Sequence, residues 1–144
     1  MRTLLIGLAI ATSAIQACGN DDGGPIEQAT ECPVEANFQS IHDNLLSLNQ
    51  RCASAGCHGQ AMSGSLGLNL GAQAVLTELL SEDVANTLAT QTKRVVPKDA
   101  SNSFLYVKLS DPAAPFGRMP LGGPALLDCE LDAVREWIDN GANP

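Results

Sequence analysis

A short segment near the middle of the chain holds the residues best suited to chemistry. Cys52 and Cys57 flank four small residues, and His58 directly follows the second cysteine. Two thiols in this order can each add to a vinyl group of a porphyrin, and the adjacent imidazole can then bind its iron. The usual spacing is C-x-x-C-H, whereas this chain has C-x-x-x-x-C-H. The motif predicts covalent attachment of one haem c at Cys52 and Cys57, with His58 as an iron ligand.

A second axial ligand is expected from a loop rich in proline and glycine. Met119 lies in such a loop, which reads PFGRMPLGGP over residues 115–124. A methionine thioether is a common partner of histidine on haem iron. Met62 is four residues from His58 and is poorly placed to reach the other face of a ring, and His42 lies on the first predicted helix. The alternative role for Met119 is to fill a gap in a loose core.

Two other uses of these residues remain open. A disulfide between Cys52 and Cys57 would make the segment a structural staple. A structural zinc site needs four Cys or His ligands. The chain could supply them from Cys52, Cys57, His58 and one of Cys32, Cys129 or His42.

The N-terminal residues have the pattern of an export signal. Arg2 is positively charged, and the uncharged apolar run that follows to Ile15 is too short for a permanent membrane span. Residues 15–18 read IQAC, which resembles the lipobox of bacterial lipoproteins. We therefore expect residues 1–17 to be a lipoprotein signal peptide, Cys18 to be the lipid anchor, and residues 18–31 to be a flexible tether. An ordinary cleaved signal peptide is the alternative.

The composition excludes some classes of function. The chain has 144 residues and a net charge of −8, from eight Lys and Arg against 16 Asp and Glu. Because the sequence has no cluster of basic residues, we expect no surface that would bind the phosphates of a nucleic acid. The length allows one domain of ordinary size, which we assign to residues 32–144. Aromatic residues make up only 3% of the chain, so a bound apolar group would help to fill the core.

Hydrophobic periodicity predicts a mostly α-helical domain of short helices joined by long Gly/Pro loops. Pro97 is expected to stop any helix before it, and Ser101 or Asp99 to cap the helix after it. Residues 111–124 are expected to form a long ordered loop. The predicted helices cover residues 37–49, 72–80, 82–90, 101–109 and 128–139.

Taken together, these features resemble the small monohaem c-type cytochrome domains, particularly those of Gram-negative envelope lipoproteins. The resemblance implies a cytochrome c-like fold, in which the first and last helices cross beside the haem. It also implies His58 and Met119 as the axial ligands. It places Val96 and Pro97 near the haem, with the Pro97 carbonyl orienting His58. The similar stretches, in the family's order, are residues 52–59, 67–70, 94–97, 103–109, 117–120 and 136–142. The expected helix contacts place Phe38 and Leu45 against Val134 and Trp137.

The number of cysteines agrees with this assignment. With Cys18 used for lipid and Cys52 and Cys57 for haem, Cys32 and Cys129 remain, and an exported chain meets an oxidising compartment that favours their pairing. A haem-free protein would keep this bridge and add one between Cys52 and Cys57.

The resemblance implies an electron carrier rather than an enzyme, because two protein ligands would fill the iron's coordination. It would pass single electrons in the envelope of a Gram-negative bacterium, lipid-anchored and facing the periplasm, with a slight preference for the outer membrane. Its acidic surface favours a redox partner with a basic docking surface. The alternative is a haem-free, disulfide-stapled envelope lipoprotein that acts as a binding or structural module.

Overall fold

The regular secondary structure is helical and confined to short segments. The computed structural model describes residues 32–47, 52–53, 57–59, 68–70 and 75–144, so the predicted signal peptide, the tether and Cys18 lie outside the described residues. Within those ranges, no helix is long and apolar enough to cross a membrane. The helices are α1 (Phe38–Ile41), which continues as a π-helical turn over His42–Leu46, α2 (Val75–Ser81), α3 (Phe104–Ser110) and α4 (Asp128–Asp139). The mostly α-helical class is confirmed.

The first helical segment begins where the sequence predicts. The Asn37 side chain caps α1 by accepting a 2.8 Å hydrogen bond from the Ser40 backbone N–H. The apolar residues Ile41, Leu45 and Leu46 are at most 1% exposed, so one face of this segment is in the core.

The short helix expected over residues 82–90 is absent, and that prediction was wrong. The Val84 amide instead donates to the Thr92 carbonyl at 2.9 Å, which pairs two extended segments. Between them, the Asn86 side-chain oxygen accepts from the Leu88 amide at 3.0 Å. Such a local side-chain hydrogen bond competes with the backbone hydrogen bonds of a helix. This segment therefore forms a turn rather than a helix.

Helix α3 begins later than predicted, with Ser103 rather than Asp99 or Ser101 at its N-cap. The Asp99 carboxylate instead closes the preceding turn, accepting from the Ser101 hydroxyl at 2.7 Å. The fully buried Ser103 hydroxyl accepts from the Val96 amide at 2.8 Å and donates to the Asp99 carbonyl at 2.8 Å. These bonds attach the extended segment before Pro97 to the start of α3.

Helices α1 and α4 pack against each other, as expected. The Phe38 and Trp137 rings lie 5.6 Å apart between centroids, and the Trp137 indole N–H donates to the Asn143 carbonyl at 2.8 Å. Leu45 and Val134 are buried in the same core. The Phe38–Trp137 contact is therefore confirmed, and it fixes how the two ends of the domain meet.

The ends of α4 match the sequence pattern closely. The helix stops at Asp139, and Gly141 follows with φ of 108°, a backbone conformation that favours glycine. At the other end, the predicted Cys32–Cys129 disulfide is present, with 5.9 Å between the Cα atoms. It ties the segment before α1 to the first turn of α4.

Candidate functional site

The residues predicted to do chemistry meet at one apolar cavity. Its volume is about 380 Å³, within the roughly 300–1,000 Å³ of small-molecule sites. Cys52, Cys57, His58 and Met119 all line it. The aliphatic side chains around them include Leu46, Leu68, Leu70, Leu79, Leu105 and Leu109.

Hydrogen bonds to neighbouring backbone groups hold His58 in place. Its amide donates to the Cys52 carbonyl at 3.1 Å, and its carbonyl accepts from the Leu70 amide at 2.8 Å. The imidazole Nδ1 lies 3.4 Å from the Leu68 carbonyl oxygen. A carbonyl can only accept, so Nδ1 carries the proton in this contact and Nε2 keeps its lone pair. A histidine held in this way is a preorganised metal ligand.

The expected role of the Pro97 carbonyl was wrong. Neither Val96 nor Pro97 is among the residues that line the cavity, and Pro97 is exposed. The Leu68 carbonyl takes that place, because the bond from the Leu70 amide to His58 brings residues 68–70 alongside the imidazole. Residues 67–70 were recognised in the sequence without this role.

Burial lowers the pKa of His58 below its ordinary value, and the nearby positive charge of Lys108 acts in the same direction. The hydrogen bond to the Leu68 carbonyl opposes these effects without cancelling them. The imidazole is therefore neutral at physiological pH, which is the form that binds metal.

In protein produced without haem, we expect acidification to lower the free energy of unfolding through His58. Its folded-state pKa is depressed, so the unfolded chain binds more protons once the pH falls below its own pKa of about 6.5. This loss of stability begins below about pH 6.5 and levels off below the folded-state pKa. Denaturant titrations across this range should show it.

The matched variants are His58→Gln and His42→Gln. The first should lose this part of the pH dependence, and the second should keep it, because His42 does not line the cavity. Equal pH dependence in wild type and His58→Gln would contradict the prediction.

Met119 reaches the cavity from an irregular loop, as expected. Residues 111–124 contain turns but no helix or strand. The Met119 amide donates to the Lys108 carbonyl at 2.8 Å, and its side chain packs partly buried against the core. The predicted ligand residue is therefore anchored to α3 by its backbone.

Positive charges lie at the otherwise apolar walls. Among the described lining residues, Arg94 and Lys108 are basic and none is acidic. The Arg94 guanidinium forms an ion pair with Glu78 at 2.7 Å, and the two side chains are only 11% and 22% exposed. Beside Met119, Arg118 has a buried Nη1 atom with no hydrogen-bond partner in the described part of the structure. The cavity walls are therefore apolar with two basic residues, of which Arg94 is already paired with an acidic residue.

The two cysteines of the motif both line the cavity, but Cys57 is itself disulfide-bonded. Its partner is not Cys52, so the bridge expected between Cys52 and Cys57 in a haem-free protein is not formed. One sulfur cannot hold a disulfide and a thioether at once. Haem attachment therefore requires Cys57 in its reduced form.

Leu68, Arg94 and Lys108 were not predicted as site residues. Arg94 and Lys108 fell within stretches similar to the cytochrome family, but nothing in their local pattern marks a contact to a cavity or to a distant carbonyl. Within the described residues, no group of three or more His, Cys, Asp or Glu side chains could hold a metal ion, so the zinc alternative gains no support there.

The comparisons with known proteins identify no relative. Neither a protein-family model, nor a curated protein, nor a solved structure matches this chain.

Proposed function

We propose that this protein is a membrane-anchored monohaem c-type cytochrome that transfers single electrons in the cell envelope. The observation that carries the proposal is that Cys52, Cys57, His58 and Met119 line the same apolar cavity. Cys52 and Cys57 would attach haem c covalently, and His58 and Met119 would be its axial ligands. A bound haem supplies the one-electron couple of its iron.

The chemistry of the cavity supports a haem ligand. Aliphatic walls suit the porphyrin ring, and no acidic residue is among the described residues that line the cavity. The lone pair of His58 Nε2 is available, because Nδ1 is committed to the Leu68 carbonyl. Two protein ligands leave no open coordination position for a substrate, which favours a carrier over an enzyme.

The proposed location follows from the N-terminal sequence, and the net charge indicates the kind of redox partner. Lipidation of Cys18 after removal of residues 1–17 would hold the domain at the membrane, facing the periplasm, with the outer membrane slightly favoured. The net charge of −8 favours a redox partner with a basic docking surface and a salt-dependent association.

The second candidate is a haem-free, disulfide-stapled envelope lipoprotein that acts as a binding module. The long spacing between Cys52 and Cys57 favours it, but the disulfide at Cys57 is not the bridge to Cys52 that it was expected to contain. Its ligand would be an apolar molecule, because leucines make up much of the cavity wall.

The proposal predicts that the protein holds haem through a covalent bond. Produced in cells that carry cytochrome c maturation genes, the protein should give the sharp α band of a c-type haem in a reduced-minus-oxidised spectrum. The haem should also remain on the chain in a denaturing gel, and the mass should rise by one haem.

Two pairs of substitutions serve as test and control. Changing Cys52 and Cys57 to alanine should abolish the haem stain. Changing Cys32 and Cys129 to alanine should leave it in place, since that bridge lies outside the cavity. A colourless, folded wild-type protein with two disulfides by mass would reject the cytochrome and leave the binding module.

A further inference from the structure

The side chain and backbone of Lys108 both hold the loop that carries Met119. Lys108 Nζ donates to the Pro115 carbonyl at 2.6 Å and also to the Gly117 carbonyl. The Lys108 carbonyl accepts from the Met119 amide at 2.8 Å. One residue of α3 therefore makes three hydrogen bonds to the loop, all within four residues of the predicted ligand.

The loop conformation needs such an anchor. Between the two bonded carbonyls, Phe116 has φ of 62° and Gly117 has φ of 81°. The left-handed region is costly for a bulky residue such as phenylalanine, and the Phe116 side chain is 68% exposed, so core packing compensates little. Hydrogen bonds from a charged donor are stronger than neutral ones and can offset this cost.

Lys108 is also placed where a charge would not otherwise be favoured. It lines the apolar cavity, and burial lowers its pKa. The two loop carbonyls compensate the ammonium group for lost hydration. An uncharged side chain would avoid that cost but would leave both carbonyls without this donor.

We infer that Lys108 is a positioning residue that holds the Met119 thioether at the cavity by fixing residues 115–119. This inference rests on the proposed function, in which the thioether binds the iron. Lys108 acts through the loop backbone, and its own side chain is not a ligand. Replacing Lys108 should therefore let Met119 leave the iron, which would then bind an added ligand, while the haem stays attached.

The test compares three variants of the haem-loaded, full-length protein. Lys108→Met keeps the length of the side chain but removes its charge and its donors. Lys108→Arg keeps the charge and the donors. Lys98→Met is the matched control, since Lys98 is exposed and does not line the cavity.

The decisive readout is carbon monoxide binding by the ferrous protein at equal haem content. One hydrogen bond from a charged donor corresponds to a factor of about ten or more in population, so the fraction of Lys108→Met that binds carbon monoxide should rise about tenfold. Lys108→Arg and Lys98→Met should resemble wild type. The reduction potential alone would not decide, because removing a nearby positive charge lowers it without any change of ligand.

A double variant separates an effect of Lys108 through Met119 from a direct effect of Lys108 on the iron. In Met119→Ala, where the thioether is already absent, adding Lys108→Met should not increase carbon monoxide binding further. A further increase there would overturn the inference. Denaturant unfolding should verify that each variant is folded, and Lys108→Leu, which also lacks a donor, replaces Lys108→Met if the latter is not.

The outcomes distinguish the two proposals. A haem-loaded Lys108→Met protein that excludes carbon monoxide as well as wild type does would overturn the positioning role and leave the cytochrome intact. A wild-type protein without haem would overturn both.

Discussion

Replacing Met119 by alanine is expected to lower the reduction potential of the haem-loaded protein and to let its ferrous iron bind carbon monoxide. Methionine ligation raises the potential of a His-ligated haem, so its loss removes that stabilisation of the reduced state. Axial ligation sets haem potentials over a range of about 0.8 V, and we expect a fall of about 0.1 V or more. A redox titration followed at the α band measures it.

The control for this experiment is Met62→Ala. Met62 is the other methionine after the predicted signal peptide, and it lies outside the described residues. Its replacement should leave both the potential and the exclusion of carbon monoxide unchanged. An unchanged potential in Met119→Ala would mean that another group binds the iron, and a change only in Met62→Ala would identify that residue instead.

Removing the Cys32–Cys129 disulfide is expected to lower the free energy of unfolding by about 2–5 kcal/mol. The bridge joins residues 97 positions apart. In the chain-entropy model, closing a loop of about 100 residues stabilises the folded state by about 4.7 kcal/mol. A small domain with few aromatic residues has little other stability to spare, so this is a large fraction of the total.

Unfolding of the variant without the disulfide can be followed through the signal of Trp137, the single tryptophan of the chain. Its ring packs against Phe38 at the contact between α1 and α4, next to the elements that the bridge joins. Urea unfolding of the variant with alanine at Cys32 and Cys129 should be compared with wild type at equal haem content. A loss below about 1 kcal/mol would show that packing of α1 on α4 supports the domain without the bridge.

Local sequence patterns predicted the elements whose signals are local. Helix α4 is amphipathic over its whole length and ends at Asn140-Gly141, and the structure has it at residues 128–139. The loop over residues 111–124 likewise follows from its local content of proline and glycine. The number of cysteines and the predicted export signal together predicted the bridge between Cys32 and Cys129, because an oxidising compartment favours disulfides.

The predictions failed where two local signals competed. Residues 82–90 had a helical pattern, but the bond from the Leu88 amide to the Asn86 side chain favours a turn. Asp99, Ser101 and Ser103 are all good N-cap residues, and only the burial of the Ser103 hydroxyl against Val96 selects one of them. A local side-chain bond decided the first case, and packing decided the second.

The sequence by itself determined which side chains could do chemistry: the cysteine pair, the adjacent His58 and a methionine in a Pro/Gly loop. Only the tertiary structure brought them to one cavity and chose their supports. The Leu68 carbonyl orients His58, and the Lys108 ammonium holds the loop of Met119. Every residue carries the same backbone carbonyl, so no residue type marks the one that will accept such a bond. That choice depends on which segments the fold places side by side.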